Sequence, residues 1–406
     1  MKILHTSDWH IGKTLYGRKR YEEFEAFLSW LAGTISNEEV DVLLVSGDVF
    51  DTSTPSNHSQ ELYYRFLCRV ASSCHHVIVI AGNHDSPSFL NAPRELLRAL
   101  NIHVIGSVTE NYEDEVLLLN NREGIPELIV CAVPYLRDRD IRVAEAGENI
   151  DDKERKLIDG IRTHYLKVCE IAEQKRKMLG VRIPVIATGH LFTAGGQTVD
   201  GDGVRELYAG SLIHVSAGIF PDCIDYLALG HLHVPQKVNN SDVMRYSGSP
   251  LPIGFGEANQ DKSVCLIEFT GKEASVALIK IPVFQCLERI RGTWEEISAR
   301  ILELSQKKVW LEVVYEDEKV IGDLRERLEA AVSGTEIEIL RIKNNRIIER
   351  VLNQINDKET LDDLNVNDVF DRCLALHDVP EEQRPELLRA YRETIMSINE
   401  DDSRTE

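Results

Sequence analysis

The stretch DVLLVSGDVFD, residues 41–51, begins as a continuous apolar run and stops abruptly in Gly47, Asp48 and Asp51. A run this short and rich in branched side chains reads as a strand buried on both faces, as does Val77-Ile78-Val79-Ile80 in HVIVIAGNHD, residues 76–85. The same form recurs in KILHTSDWH (2–10), IPVIATGH (183–190) and IDYLALGHLH (224–233). Between the first three, Phe24, Phe27, Leu28 and Leu31 share one helical face, and Leu62, Phe66, Leu67 and Val70 another. Strand alternating with helix predicts an α/β fold built from βαβ units around a largely parallel core. Ligands of such sheets bind outside the carboxyl ends of the strands, where each polar cluster stands. Five strand ends are thereby expected to build one site.

The residue types in those clusters suit a pair of divalent metals, which need several oxygen or imidazole donors and a carboxylate able to bridge them. Asp48, lifted out of the sheet after Gly47, is the natural bridge. Asp8 and His10 alternate about Trp9, which predicts an extended segment with both on one side. His231 and His233 alternate likewise, Gly189-His190 adds an imidazole, and Asn83 offers an amide oxygen. His84, one step along from Asn83, must face elsewhere and is assigned to the substrate. Singly, a histidine after a strand or a Gly-Asp turn is weak. The conjunction D-x-H, G-D-x-x-D, G-N-H-D and G-H-x-H, in that order, carries the metal reading. His5, His58, His75, His76, His103, His164, His214 and His377 lack a companion at useful spacing and read as structural.

With 406 residues, one large domain and smaller additions are expected. A first segment interrupted by His5, Asp8 and His10 reads as no signal peptide, and no run approaches a membrane span, so a cytoplasmic protein without membrane attachment is expected. The eight cysteines form no C-x-x-C pair and argue against disulfides and structural zinc. A formal net charge of -21 opposes general attraction to nucleic acid. The loop Tyr16 to Tyr21, with Lys13, Arg18, Lys19 and Arg20, is a basic patch among aromatics and the candidate DNA contact; a solvated loop is the plain alternative.

Residues 110 to 185 offer one strand-like run, ELIVCAVPYL (127–136), and a charged helix from Asp151 to about Lys177. After Pro282 the polar clusters cease. VWLEVVYED (309–317), IGDLRERLEAAV (321–332) and EIEILRIK (336–343) predict strand, helix and strand of a small α+β module. Its acidic strand, Glu312 to Glu318, argues against a wholly basic clamp. From about Asn345 the apolar spacing is helical, with Asn365 or Asn367 as a cap. The expected division is 1–280, 281–343 and 344–406.

The ordered motifs resemble the calcineurin-like metallophosphoesterase superfamily. HTSDWHIG (5–12), SGDVFDTSTPS (46–56), AGNHDS (81–86), ATGHLFTAGG (187–196), LALGHLH (227–233) and YSGSPLPIGFGE (246–257) narrow the resemblance to its SbcD family of nuclease subunits. That resemblance implies an αββα sandwich, a capping domain that contacts DNA, and C-terminal helices. It also implies two divalent metals, usually Mn²⁺: Asp8, His10, Asp48 and His233 on one, and Asp48, Asn83, His190 and His231 on the other. His84 would stabilise or protonate the leaving oxygen, with Asp51 orienting it. Double-strand 3′ to 5′ exonuclease action and cleavage of hairpin DNA are implied. So is an SbcC-type ATPase docked on the C-terminal helices, with a homodimer inside a heterotetramer, the helix at 58–72 being one candidate pairing surface. No P-loop of the G-x-x-x-x-G-K-[ST] kind occurs here, so ATP dependence must come from another chain.

Three other readings compete, one of them a cyclic-nucleotide or other small phosphodiesterase that shares the core motifs, against which the appended module and helical tail speak for a macromolecular substrate. A phosphoprotein phosphatase would share the metals, but typically shows arginine in G-D-x-x-D-R-G and glutamate in G-N-H-E, where Thr52 and Asp85 stand. A non-enzymatic assembly subunit predicts that removing His84 leaves function intact.

Overall fold

The computed structural model describes residues 1–142, 150–193, 215–317 and 323–344, together with Leu374, Arg384 and Leu387. The chain divides into two compact units, Met1–Cys286 and Leu287–Glu406.

The first unit begins with β1 (Lys2–Thr6), a ribbon of β2 (Thr14–Leu15) and β3 (Arg18–Lys19), α1 (Tyr21–Asn37), β4 (Val42–Ser46), α2 (Asn57–Val70), β5 (His76–Ile80) and β6 (Ile102–Ile105). There follow β7 (Val116–Asn120), β8 (Pro126–Cys131), a long helix Ile150–Leu179, β9 (Val185–His190), β10 (Tyr226–Gly230), β11 (Gln236–Lys237), β12 (Met244–Tyr246), β13 (Ser263–Thr270) and β14 (Glu273–Lys280). They form two six-stranded sheets, β14-β13-β1-β4-β5-β6 and β11-β12-β10-β9-β8-β7. β1, β4, β5 and β6 run parallel, as do β8, β9, β10 and β12, while antiparallel strands close three of the four edges.

One apolar layer joins the sheets face to face, with Ile3, Leu44 and Ile78 from one and Val130, Ile186 and Ala228 from the other. The outer face of the first sheet packs on Phe24, Phe27, Phe66 and Leu67 of α1 and α2. The second sheet packs on Leu157, Ile161, Tyr165 and Val168 of the long helix. This is the expected αββα sandwich, and it explains the continuous apolar runs: each central strand is covered on both faces. The sequence reading missed β7, whose VLLLN is an apolar run of only four residues beside a charged neighbourhood.

One local expectation is corrected. β1 ends at Thr6, and Asp8 and His10 are not in extended backbone but have φ of 53° and 47°; His231 follows β10 at 102°. Alternate residues meet here because the chain coils beyond the strand, not because a strand continues.

The second unit holds β15 (Cys286–Gly292), helix Trp294–Leu304, β16 (Val309–Tyr315), helix Leu324–Val332 and β17 (Ile337–Asn344), in the sheet order β15-β16-β17. The strand-helix-strand reading lacked β15 and the first helix, whose start is fixed by a capping box between Thr293 and Glu296. Glu312 does not form an acidic surface. Its side chain is fully buried against Arg289, Arg341 and Lys343, so this part of β16 lies in a cluster with more positive than negative charge. Apart from Asn344, Leu374, Arg384 and Leu387, residues 344–406, where C-terminal helices are expected, lie outside the described residues. Among the described residues, no helix is long and apolar enough to cross a membrane.

Candidate metal centre

The turns after β1, β4, β5, β9 and β10 converge. Their close approach depends on small residues: a Cβ on Gly230 would lie 1.9 Å from Ser46 O, and one on Gly47, whose φ is +89°, would lie 2.4 Å from His190 Nδ1. Asp85 supports the same turns from behind, accepting N–H bonds from Val49, Phe50 and Gly82 at 3.1, 3.0 and 2.9 Å.

Asp48 occupies the middle. Its Oδ2 is 3.2 Å from His190 Nε2 and 3.6 Å from His10 Nε2, while Oδ1 accepts the main-chain N–H of His84 at 2.9 Å. On one side, His10 Nε2 and His233 Nε2 stand 3.2 Å apart. Their Nδ1 atoms face carboxylates, Asp51 at 3.4 Å and Glu257 at 3.6 Å, which favour protons there and leave the two Nε2 lone pairs opposed. On the other side, His190 Nδ1 donates to Ser46 O at 3.0 Å, and its Nε2 faces Asn83 Oδ1 at 2.9 Å. His231 Nε2 is buried with no hydrogen-bond partner. Lone pairs turned on one another in a buried place are costly unless a cation or proton lies between them. Asp8, His10 and His233 form one compact donor group, and Asp8, Asp48 and His190 another, which fits divalent metals.

Comparison with known proteins shows the family of the chain. A family model described as "Calcineurin-like phosphoesterase" matches residues 1–235, and one described as "Type 5 capsule protein repressor C-terminal domain" matches 283–378. Over 98% of each chain, the protein is 36% identical to the SbcD subunit of the nuclease SbcCD from Escherichia coli (strain K12). The chain belongs to the SbcD family of calcineurin-like phosphoesterases. Family members of the same name in Rhodobacter capsulatus and Bacillus subtilis are 36% and 35% identical, each over 68% of both chains. As an SbcD-family member, the protein is a hydrolase of phosphodiester bonds.

The electrostatics of this centre follow from burial among carboxylates and imidazoles, with Lys13 and Lys262 paired to the outlying acids Asp51 and Glu257. Burial pushes the Asp8 carboxyl up, and Asp48 adds to this, against the pull of His190 and His233. Burial also pushes Asp48 up, but His190, His10 and His84 outweigh it and hold it well below the carboxylate range. Burial pushes His190 down, yet Asp48 and Asp8 raise it to about 9. His231 is driven well below its usual value by burial, with His190 adding to the effect. Where no metal is bound, a proton on His190 is thus the nearest substitute for one.

Two expectations change. Asp51 meets His84 through its main-chain oxygen, 2.8 Å from His84 Nδ1, whereas its side chain lies against His10 and, at 3.0 Å, Lys13. The Asp51 carboxylate is therefore better placed to orient His10 than His84. Arg20 is withdrawn from the DNA-contact set: it is 2% exposed, and its Nε and Nη2 donate to Glu23 at 2.9 and 2.8 Å, while Nη1 donates to Pro252 O at 2.7 Å. Arg18 and Lys19 are exposed. His5 is buried and bonded to Tyr226, and His164 to Glu115, as structural histidines. Sequence reading missed Glu257, which Lys262 also pairs, because an acid 24 residues beyond His233 has no spacing relation to it.

Proposed function

We propose that the protein is a two-metal DNA nuclease, the phosphodiesterase subunit of an assembly with an SbcC-type ATPase. The observation that carries this reading is Asp48 Oδ2 standing between His190 Nε2 and His10 Nε2, as a bridging carboxylate must. Asp8, His10, Asp48 and His233 would hold one divalent ion, and Asp48, Asn83, His190 and His231 the other, with manganese the ion expected of the family. When bound, such ions acidify water and neutralise charge on phosphate oxygens.

The chain's own residues do the rest. Ser46 and Glu257 fix the ring orientation of His190 and His233, and Asp51 that of His10. The Asp51 carbonyl holds a proton on His84 Nδ1, which leaves Nε2 to hold or give the proton needed by an oxygen leaving phosphorus. No covalent enzyme intermediate is required.

The substrate is DNA, cut as a double-strand 3′ to 5′ exonuclease and as an endonuclease on hairpins and single strands. The relatives' name, that of a nuclease subunit of SbcCD, supports a nucleic-acid substrate, as does the appended second unit, while the polarity and the hairpin cleavage are carried over from the family resemblance. Partner docking through residues 344–406, a homodimer within a heterotetramer, and a cytoplasmic location complete the proposal.

The test is cleavage of a labelled hairpin DNA with Mn²⁺ by wild type, His84→Ala and Asp48→Ala, beside an aryl monophosphate. Cleavage by wild type alone, with metal binding retained in His84→Ala, is expected. Monoester hydrolysis without DNA cleavage, even with the ATPase supplied, moves the assignment to a phosphatase; full function in His84→Ala moves it to an assembly subunit.

A further inference from the structure

The ribbon that follows His10 is fixed at its base and open at its tip. Leu15 is buried, and Arg20 is held by Glu23 and by the carbonyl of Pro252. Leu15 pairs with Arg18, so Tyr16 and Gly17 alone make the turn, with φ of 47° and 83°. A two-residue turn with both φ positive favours Asn-Gly or Gly-Gly. A bulky aromatic in the first place is conformationally unfavourable, so the turn geometry itself does not call for tyrosine.

The Tyr16 ring lies nearly parallel to Phe255, at 16° and 5.7 Å between centroids, yet Tyr16 remains 47% exposed. Phe255 is two residues from Glu257, which faces His233. The ribbon's other end is tied to the same centre, because Lys13 pairs with the Asp51 carboxylate beside His10. An exposed aromatic beside the exposed cations Arg18 and Lys19 is the combination that holds unpaired nucleotides, by stacking on the base and neutralising its phosphate.

We infer that Tyr16, backed by Phe255, is a stacking platform for an unpaired base next to the scissile phosphate, and so a specificity-determining residue for hairpin loops and frayed ends. This rests on the nuclease reading and refines its substrate. The Tyr16 ring supplies affinity where bases are unstacked and little where they remain paired.

The test uses the full chain with three substrates: a hairpin DNA, the same hairpin with abasic loop positions, and bis(p-nitrophenyl) phosphate. Tyr16→Ala is expected to lower the ratio of hairpin to small-diester turnover roughly tenfold. Tyr16→Phe should keep the ratio, since the ring and not the hydroxyl stacks. Abasic loops should bring wild type down to the Tyr16→Ala value. Apart from cleavage, wild type in EDTA should quench 2-aminopurine in a single-stranded oligonucleotide more than Tyr16→Ala does.

Equal quenching by the two proteins overturns the inference. So does an equal loss on hairpin and small diester, which would make Tyr16 a support for Phe255 and Glu257. Failure of the nuclease reading is distinguishable, because wild type itself would then leave every DNA uncut while the quenching comparison still decides whether Tyr16 stacks.

Discussion

Two buried carboxylates meet the same electrostatic problem in opposite ways. Glu312, in the second unit, is enclosed by Arg289, Arg341 and Lys343, all cations at any physiological pH. Asp48, in the first, is equally buried, but the side chains that offset its charge are imidazoles, which carry charge conditionally. The second unit thus contains its own counter-charge, whereas the centre around Asp48 is completed by protons or metal ions. Buried charge is tolerated in both places because it is compensated; the difference is whether the compensation is part of the chain or can be exchanged.

The largest effect should come from Glu312. Glu312→Ala leaves three cations facing one another and is expected to destabilise the second unit by about 3–5 kcal/mol in denaturant unfolding. A change under about 1 kcal/mol would break the contrast between the two carboxylates. Next, adding Mn²⁺ to metal-stripped protein should stabilise the first unit by about 2.7 kcal/mol at a hundredfold excess over Kd, and Asp48→Ala should abolish this gain. Stabilisation of the second unit instead would show that its counter-charge is not complete.

A smaller effect is expected at Glu257. Glu257→Gln should weaken manganese binding about 10- to 100-fold by calorimetry, with nuclease activity largely recovered at saturating metal. Affinity unchanged from wild type removes Glu257 from the centre.

The smallest effect concerns a buried base with no compensating charge. Burial lowers His5 to about 3, so in acid the unfolded chain takes up its proton first. The stability His5 provides as a neutral ring is present above about pH 6.5 and is lost as pH falls towards 3. Between pH 7 and 5.5 this amounts to about 1 kcal/mol, read as the difference in slope between wild type and His5→Gln. Parallel slopes would show that His5 is not the titrating group.

Much of the centre was legible because its donors sit directly after apolar runs. Gly47-Asp48, Gly82-Asn83 and Gly189-His190 announce themselves by an abrupt polar end to a strand, and the glycines are required by the crowding of the turns. The supporting groups were not legible. Glu257 and the carbonyls of Ser46 and Asp51 reach histidines far away in sequence, and a main-chain oxygen has no residue-type signature at all. Arg20 shows the converse error: charge in a sequence says nothing of direction, and this guanidinium turns inward to Glu23 and Pro252 while its neighbours Arg18 and Lys19 remain outside.

The sequence by itself determined the alternation of strand and helix in the βαβ units, the helical faces that cover them and the identity of the candidate donors, because hydrophobic periodicity and strand-end residues are local properties. Tertiary structure alone decided which nitrogen of each histidine faces inward, which acid orients which ring, and that Glu312 is enclosed by cations. Those outcomes depend on contacts between segments distant in sequence, and on left-handed turns at Asp8, His10 and Asp48 that only the packed sandwich holds in place.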